Sequence, residues 1–369
     1  MDSLIKNKHQ THIINPETFC VLRLSAIGDV CHAVASVQAL QKKYPNAKVT
    51  WIVGKTEYQL VSDLPDIEFI VVDKSDRLKA YLHLRRLFKD RVFDVLLHMQ
   101  VSIRSSLIAA LVKAKEKWGY HRNQAREFQW LFTTHKIGDQ NGSHVVECFM
   151  DFARVMGVDK NSQVDWQVPI SKPVLKWQQS LLKSHGKYVV IAPCASNFER
   201  NWSMERYVAL ANYLHQKGYS VVLCGSPKER EETFANILQS KVDFKLTNLV
   251  SRTSLKQLLA VLKHAEVLIA PDTGPVHMSV MMGTPVLGLY AHSNPLRTGP
   301  YKYLDYVVSC YEEVLQMKTG LPSNNHFWGK RLKGKHLMQL IGLQTVIETF
   351  ERIEKDFKIS AKIKKKVTS

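Results

Sequence analysis

From Thr18 onward the chain alternates short β-rich apolar runs with longer segments of helical apolar spacing, and from Tyr188 it does so a second time. The first pass predicts strands at 18–24, 48–53, 69–72 and 93–99. Helices are predicted at 30–43, 79–89 and 105–112. The second predicts strands at 188–193, 220–224, 266–270 and 286–290, with helices at 203–217, 228–239, 254–264 and 276–282. A last helix is expected at 341–357. Strand–helix alternation of this kind predicts a parallel sheet covered by helices on both faces. Two successive passes predict two Rossmann-like halves with a cleft between them. Pro169 and Pro173 interrupt the pattern, so 166–176 reads as the linker. The expected division is a polar extension at 1–17, one domain at 18–168, a second at 169–345, and a helix end with a lysine-rich tail at 346–369. No solenoid-like period appears.

Composition narrows the classes. The 369 residues suit two domains at roughly 150 residues each. With 45% hydrophobic and 23% charged residues the chain is neither disordered nor low-complexity. No run approaches the ~18 apolar residues of a membrane-spanning helix, and residues 1–16 lack the apolar core of a secretory signal. The six cysteines form no C-x-x-C pair, which predicts reduced, mostly buried thiols and no zinc. The formal charge of +18 predicts an anionic partner: nucleic acid, an acidic membrane face or a phosphorylated substrate.

Four segments lie where strands run into helices. The first is Arg23-Leu24-Ser25-Ala26-Ile27-Gly28-Asp29-Val30. Such a joint faces the ligand crevice of an open α/β sheet. Asp29 has two readings there: a helix-start carboxylate that satisfies backbone N–H groups, or a general base at the cleft mouth. The second is Asp272-Thr273-Gly274-Pro275-Val276-His277. Pro275 suits a first helical turn, and a glycine-bearing turn into a helix N-terminus is a ready anion site. A plain strand–turn–helix joint is the alternative, and a lone His277 is more often structural. The third runs from Pro193 to Trp202, where Ser196 and Arg200 can bracket a diphosphate. The fourth, Gly225 to Glu229, offers Glu229 as a ribose carboxylate or simply as a helix-start residue. A P-loop, the G-x-G-x-x-G fingerprint, an Asp-x-Asp pair and an H-x-x-x-H pair are all missing from the sequence. Their absence argues against an NTPase, a nicotinamide enzyme and a metal-clamped diphosphate.

Together these segments, in this order, resemble glycosyltransferase family 9, the ADP-heptose:lipopolysaccharide heptosyltransferases. The resemblance runs from about Phe19 to Phe350 and is strongest at Leu22–Val30 and Asp272–His277, followed by Gly283-Thr284-Pro285-Val286. It implies a GT-B fold, with two Rossmann-like domains facing across a cleft. It implies an inverting, metal-independent transfer of heptose from ADP-heptose to the Kdo–lipid A inner core, with no cofactor beyond the donor. The alternatives are transfer onto the first heptose, as in a heptosyltransferase II, or another sugar-nucleotide-dependent transfer. Asp29 is then the base. Asp272, Thr273, Gly274 and His277 lie at the diphosphate, with Ser196 and Arg200 also on the donor side. Glu229 matches the ribose carboxylate.

The acceptor side falls to the first half, with Ser25, Gly28, Lys79 and Arg122 as its candidates, and Arg85, Arg86, Arg104 and Arg126 as further cations. The segment 316–336 is basic and lacks the cysteines many members carry. Lys358, Lys362, Lys364, Lys365 and Lys366 can attract an anionic membrane surface or form a solubilising tail. A cytoplasmic enzyme, peripheral at the inner face of the bacterial inner membrane, is the expected setting. Three rivals from other classes are a nicotinamide oxidoreductase, a nucleic-acid binder and a catalytically silent sugar-nucleotide binder, the last opposed by the presence of Asp29. The missing glycine fingerprint argues against the first. The spread of basic residues, with no RNP-type or helix-turn-helix signal, argues against the second.

Overall fold

The structure, a computed structural model, describes residues 15–73, 75, 77–166, 168–323 and 328–360. Most of the expected N-terminal extension and the lysines at 362 and 364–366 lie outside the described residues.

Twelve strands are described, and they form two parallel six-stranded sheets. The first comprises β1 (Thr18–Leu22), β2 (Lys48–Gly54), β3 (Ile67–Val72), β4 (Val92–His98), β5 (Lys113–Gly119) and β6 (His135–Lys136), in the order β3-β2-β1-β4-β5-β6. The second comprises β7 (Tyr188–Ile191), β8 (Ser220–Leu223), β9 (Thr247–Asn248), β10 (Val267–Pro271), β11 (Val286–Tyr290) and β12 (Val307–Ser309), in the order β12-β11-β10-β7-β8-β9. Counted within its own half, each sheet has the doubly wound Rossmann order. The central strands are aliphatic because both faces are covered: Phe19 to Leu22 and Val267 to Ala270 are fully buried.

The helices are α1 (Ile27–Lys43), α2 (Lys55–Val61), α3 (Arg77–Leu87), α4 (Ile103–Leu111), α5 (Val145–Arg154), α6 (Lys172–Leu182) and α7 (Met204–Gln216). They continue with α8 (Glu229–Ser240), α9 (Leu255–Lys263), α10 (Gly274–Met282), α11 (Pro295–Thr298), α12 (Tyr311–Thr319) and α13 (Leu343–Asp356). Ser203 caps α7 by accepting from the Arg206 N–H, and Ser254 caps α9 in a box with Gln257.

The expected linker needs correcting. Lys172 already opens α6, and Pro173 stands in its first turn, where a missing N–H costs nothing. This helix packs on α9, so the chain has entered the second half by then. Two elements of the first half leave little trace in the sequence. β5 reads KAKEKWG, and its lysines are tolerated because the strand lies near the sheet edge; Lys115 pairs with Asp94 at 2.7 Å. α5 packs along α1 through Phe149 and Phe152.

The halves are not separate globules. One apolar cluster runs from Val30, Val34 and Val37 of α1, through Phe149 of α5, to Leu258 and Leu262 of α9 and Val276 and Val280 of α10. The other sheet faces have clusters of their own: α3 and α4 cover one side of the first sheet, and α7, α8, α12 and α13 one side of the second.

Candidate active site

In each sheet the strand order reverses beside the first strand of that half, and ligands of open α/β sheets bind outside the carboxyl ends of strands at such a point. The loop after β1 carries Arg23–Ala26 and leads into α1. Helix α1 has Ala26 as its cap residue, which supplies no side-chain acceptor. Asp29 fills that role from inside the helix: its Oδ2 accepts from the Ala26 N–H at 3.2 Å. The same oxygen is paired with Nη2 of Arg23. Arg23 is itself buried; its Nη1 donates to the Met99 carbonyl at 2.6 Å and its guanidinium lies 5.2 Å from the Phe149 ring centre. The Asp29 side chain is 38% exposed. The capping reading and the base reading of Asp29 are therefore compatible, because one carboxylate oxygen is held and the group still reaches solvent.

The matching loop after β10 opens α10. Thr273 is its cap residue and gives no side-chain hydrogen bond to the helix. Pro275 has no N–H and the Val276 N–H donates to the Thr273 carbonyl at 3.1 Å, so the Gly274 N–H is the donor this helix start offers an anion, with the helix dipole behind it. Asp272 does not face that end as a free carboxylate. Its Oδ2 accepts from Nη1 of Arg200 at 3.1 Å and from Ser293 Oγ at 2.7 Å. Arg200, expected as an open cation, is buried: Nη1 also donates to the Asp272 carbonyl, and Nη2 donates to Ser196 Oγ at 2.7 Å. A short arginine–aspartate brace shapes each turn.

The two helix starts meet across the gap. A Cβ on Gly274 would lie 3.6 Å from Ile27, the first residue of α1. A Cβ on Gly28 would lie 2.5 Å from Cδ2 of His277, a distance side chains do not tolerate. Glycine at 28 is thus required by close approach. Behind it, the His277 ring meets His32 edge-on with centroids 4.5 Å apart. His144 joins this layer: its Nδ1 accepts from the Val146 N–H, capping α5, and its Nε2–H donates across the gap to the Gly299 carbonyl at 3.0 Å. Burial is the chief cause that pushes all three histidines below the usual imidazole range, His144 down to about 4. For His277, Asp272 and Asp29 act in the opposite direction.

Beside Asp29 opens a cavity of about 780 Å³, lined from both halves. Arg23, Tyr120, Arg126 and Gln140 come from the first half; Arg297, Trp328 and Arg331 come from the second. Trp328 donates Nε1–H to the Ser143 carbonyl at 2.8 Å and so ties the 328–331 segment to the first half. The sequence reading marked 316–336 only as basic. Arg297 and Arg331 carried no periodicity or spacing that would place them at this cavity.

Other expected residues lie elsewhere. Ser25 is near the cavity end of β1, where Gln100 donates to its Oγ at 3.4 Å. Arg122 is exposed and stacks on Trp130 at 5.0 Å, and Lys79 is on α3; neither lines the cavity that holds Asp29. Arg126 does line it. Glu229 is exposed at the first position of α8. The carboxylate that turns back over the β8 loop is Glu231, which accepts from Ser226 N–H at 2.7 Å. The spacing of a strand end to a helix start does not distinguish two acidic residues two positions apart. A second pocket, of about 540 Å³, lies against Ser196–Ser203, with Arg230 and Lys335 on its wall. Among the described residues no group of three or more His, Cys, Asp or Glu is placed to hold a metal, and no helix is long and apolar enough to cross a membrane.

The sequence model for glycosyltransferase family 9 (heptosyltransferase) matches residues 81–323. The lipopolysaccharide core heptosyltransferase OpsX of Haemophilus influenzae is 42% identical over 92% of this chain and 97% of its own length. The chain belongs to glycosyltransferase family 9. In fold it is similar to a family 9 glycosyltransferase from Veillonella parvula, with a TM-score of 0.76, 20% identity and coverage of 92% of this chain and 97% of that one. ADP-heptose heptosyltransferase II of Escherichia coli also shares the fold, at a TM-score of 0.71 and 19% identity, covering 92% and 99%. The two sheets and their facing switch points are thus the GT-B arrangement expected of a family 9 enzyme.

Two outcomes test this geometry in the glycosyltransferase. Gly28→Ala forces the His277 ring against His32, and overpacking of this kind costs about 1–3 kcal/mol. Urea unfolding should report that loss, together with reduced turnover as the helix ends are pushed apart. Stability and turnover equal to wild type would show that the contact is not tight. The histidine layer makes stability depend on pH. Folded-state values lie below an unfolded value near ~6.5, so the contribution is complete above that pH. It is lost as pH falls toward about 4, by up to about 1.4 kcal/mol per pH unit per histidine. Unfolding free energy measured at pH 7.5, 6 and 5 should fall steadily, and less steeply in His144→Gln; a flat profile contradicts the assignment.

Proposed function

We propose that this chain transfers heptose from ADP-heptose to the Kdo–lipid A inner core of lipopolysaccharide, in the manner of a heptosyltransferase I, with inversion and without a metal ion. The observation that carries this reading is the meeting of the α1 and α10 starts, Gly28 against His277 and Ile27 against Gly274. A carboxylate and an anion-binding helix end thereby border one gap. The relative OpsX is named as a lipopolysaccharide core heptosyltransferase. The E. coli heptosyltransferase WaaC, solved with ADP, shares the fold at a TM-score of 0.68.

The reaction is a single displacement. Asp29 accepts the proton of an acceptor hydroxyl as that oxygen forms its bond to the anomeric carbon of the heptose. The bond from that carbon to the diphosphate oxygen breaks, and ADP leaves with the electron pair. The Gly274 N–H and the dipole of α10 meet the charge that develops on the leaving oxygen. Asp272, Arg200, Ser196 and Ser293 hold that turn in shape, and Thr273 and Gly274 present it. His277 keeps α10 against α1. Arg23 fixes the Asp29 carboxylate so that its second oxygen is the one offered to the acceptor. Arg126, Arg297 and Arg331 give the cavity beside Asp29 a positive lining suited to an acidic sugar.

Asp29→Asn separates the base from the cap, since the amide oxygen can still accept from Ala26 and the side chain retains its size. Turnover should fall by roughly 10²-fold or more, with ADP affinity within about threefold of wild type by calorimetry. Wild-type turnover would end the general-base assignment. Incubation with ADP-heptose and Kdo–lipid A should add one heptose by mass, whereas product formed only on an already heptosylated acceptor would favour the second-heptose step. EDTA should leave the rate unchanged; restoration of a lost rate by a divalent cation would show that the α10 end is not sufficient.

A further inference from the structure

A cavity of about 460 Å³ lies in the first half between α3 and α4, separate from the cavity lined by Asp29. Its surface is mostly apolar, with Val72, Leu84 and Ile108 at its base and Leu78 and Leu107 at its mouth, while Ser25, Asp73, Gln100, Ser102 and Arg104 supply polar groups. The mouth residues are unusual for a protein surface: Leu78 is 70% exposed and Leu107 45%. Each continues a stripe on its helix, Leu78 with Leu82 and Ile103 with Leu107, at the i, i+4 spacing that puts both on one face. Leu78 and Leu107 line the groove itself, and Leu82 and Ile103 extend the exposed apolar surface of the same helices. Contiguous exposed apolar surface rimmed by charge marks a binding site, and a volume in this range suits a single ligand.

Two observations identify the occupant. Arg104 stands on the groove wall, and the carboxylate there, Asp73, is paired with Lys55 at 2.9 Å. The inner end is formed by Leu24, Ser25 and Gln100, the loop that leads into Asp29. A largely apolar slot that begins at the loop leading into Asp29, with Arg104 on its wall, fits an acyl chain attached to an anionic head. We propose that the α3–α4 groove takes an acyl chain of the lipid-linked acceptor, while its sugar lies at Asp29. This rests on the proposed function for the identity of the lipid, though not for the groove's chemistry.

The test reads binding first, so that it stands apart from turnover. The full chain is titrated calorimetrically with alkyl phosphates from butyl to dodecyl, each below its micelle concentration. Affinity should rise with chain length, at most about fourfold per methylene for full burial, and level off once the groove is filled. Leu107→Glu and Leu78→Glu change exposed positions and should abolish the length dependence; Arg104→Gln should weaken every chain by a similar factor. Length-independent binding, or a length dependence unchanged in both leucine variants, overturns the proposal. Binding to phosphatidylglycerol-containing vesicles alone, with no monomeric alkyl phosphate bound, also overturns it, in favour of a bilayer-docking face. With acceptors, wild type should prefer acylated over deacylated Kdo–lipid A by at least tenfold in kcat/KM, and Leu107→Glu should lose that preference through KM. An equal kcat/KM for both acceptors in wild type overturns the assignment to the acceptor. Absence of transfer to either acceptor would refute the proposed function, and the alkyl phosphate series would still decide the groove.

Discussion

The contact between the starts of α1 and α10 governs the rest of the structure. Two Rossmann-like sheets can be joined in many ways, and only a joint that presents both switch points to one gap can serve a bisubstrate reaction. Here the joint is made at atomic contact. Gly28 has no side chain, His277 occupies the space a Cβ would take, and His32 closes behind it. Gly299, on the far half, takes a hydrogen bond from the histidine that caps α5. Burial pushes all three imidazoles below their usual range, while cationic side chains line the neighbouring cavity.

The same device appears in each half. After β1, Arg23 grips Asp29; after β10, Arg200 grips Asp272. Both arginines are buried, and both also donate to a backbone carbonyl nearby. A buried ion pair is poor evidence of net stability, because desolvation offsets most of the attraction. Its value here is orientation: a planar guanidinium with several donors fixes a carboxylate and a loop together. The difference between the pairs lies in exposure. The Asp29 side chain is 38% exposed, whereas that of Asp272 is 10% exposed. One carboxylate thus reaches solvent, whereas the other is enclosed with its arginine.

Much of this was legible in the sequence. The alternation of aliphatic runs with helical spacing predicted both sheets, and the two turns at Ser25–Asp29 and Asp272–Gly274 fall at the switch points as their positions implied. What the sequence could not reveal depended on tertiary context. β5 is a strand of alternating lysine that its pairing between β4 and β6 near the sheet edge, not its propensity, makes extended. Pro173 opens a helix rather than marking a linker. Glu231 and not Glu229 turns back over the β8 loop, because helix phase decides which of two acids points inward. Arg297, Trp328 and Arg331 reach the cavity through loops, where no period records direction. Arg200 looked like an open cation because its partner lies 72 positions away.

The apolar cluster that passes from α1 and α5 into α9 and α10 sets a limit on how this architecture can be recombined. In a chain of independent lobes, a donor lobe from one relative could be grafted onto an acceptor lobe from another by cutting anywhere in the connection. Here the seam is itself hydrophobic interior. A graft that exchanges one lobe must also carry complementary packing for Val30, Val34, Val276 and Val280, so diversification of sugar or lipid preference is easiest in the peripheral helices and loops that leave the seam alone.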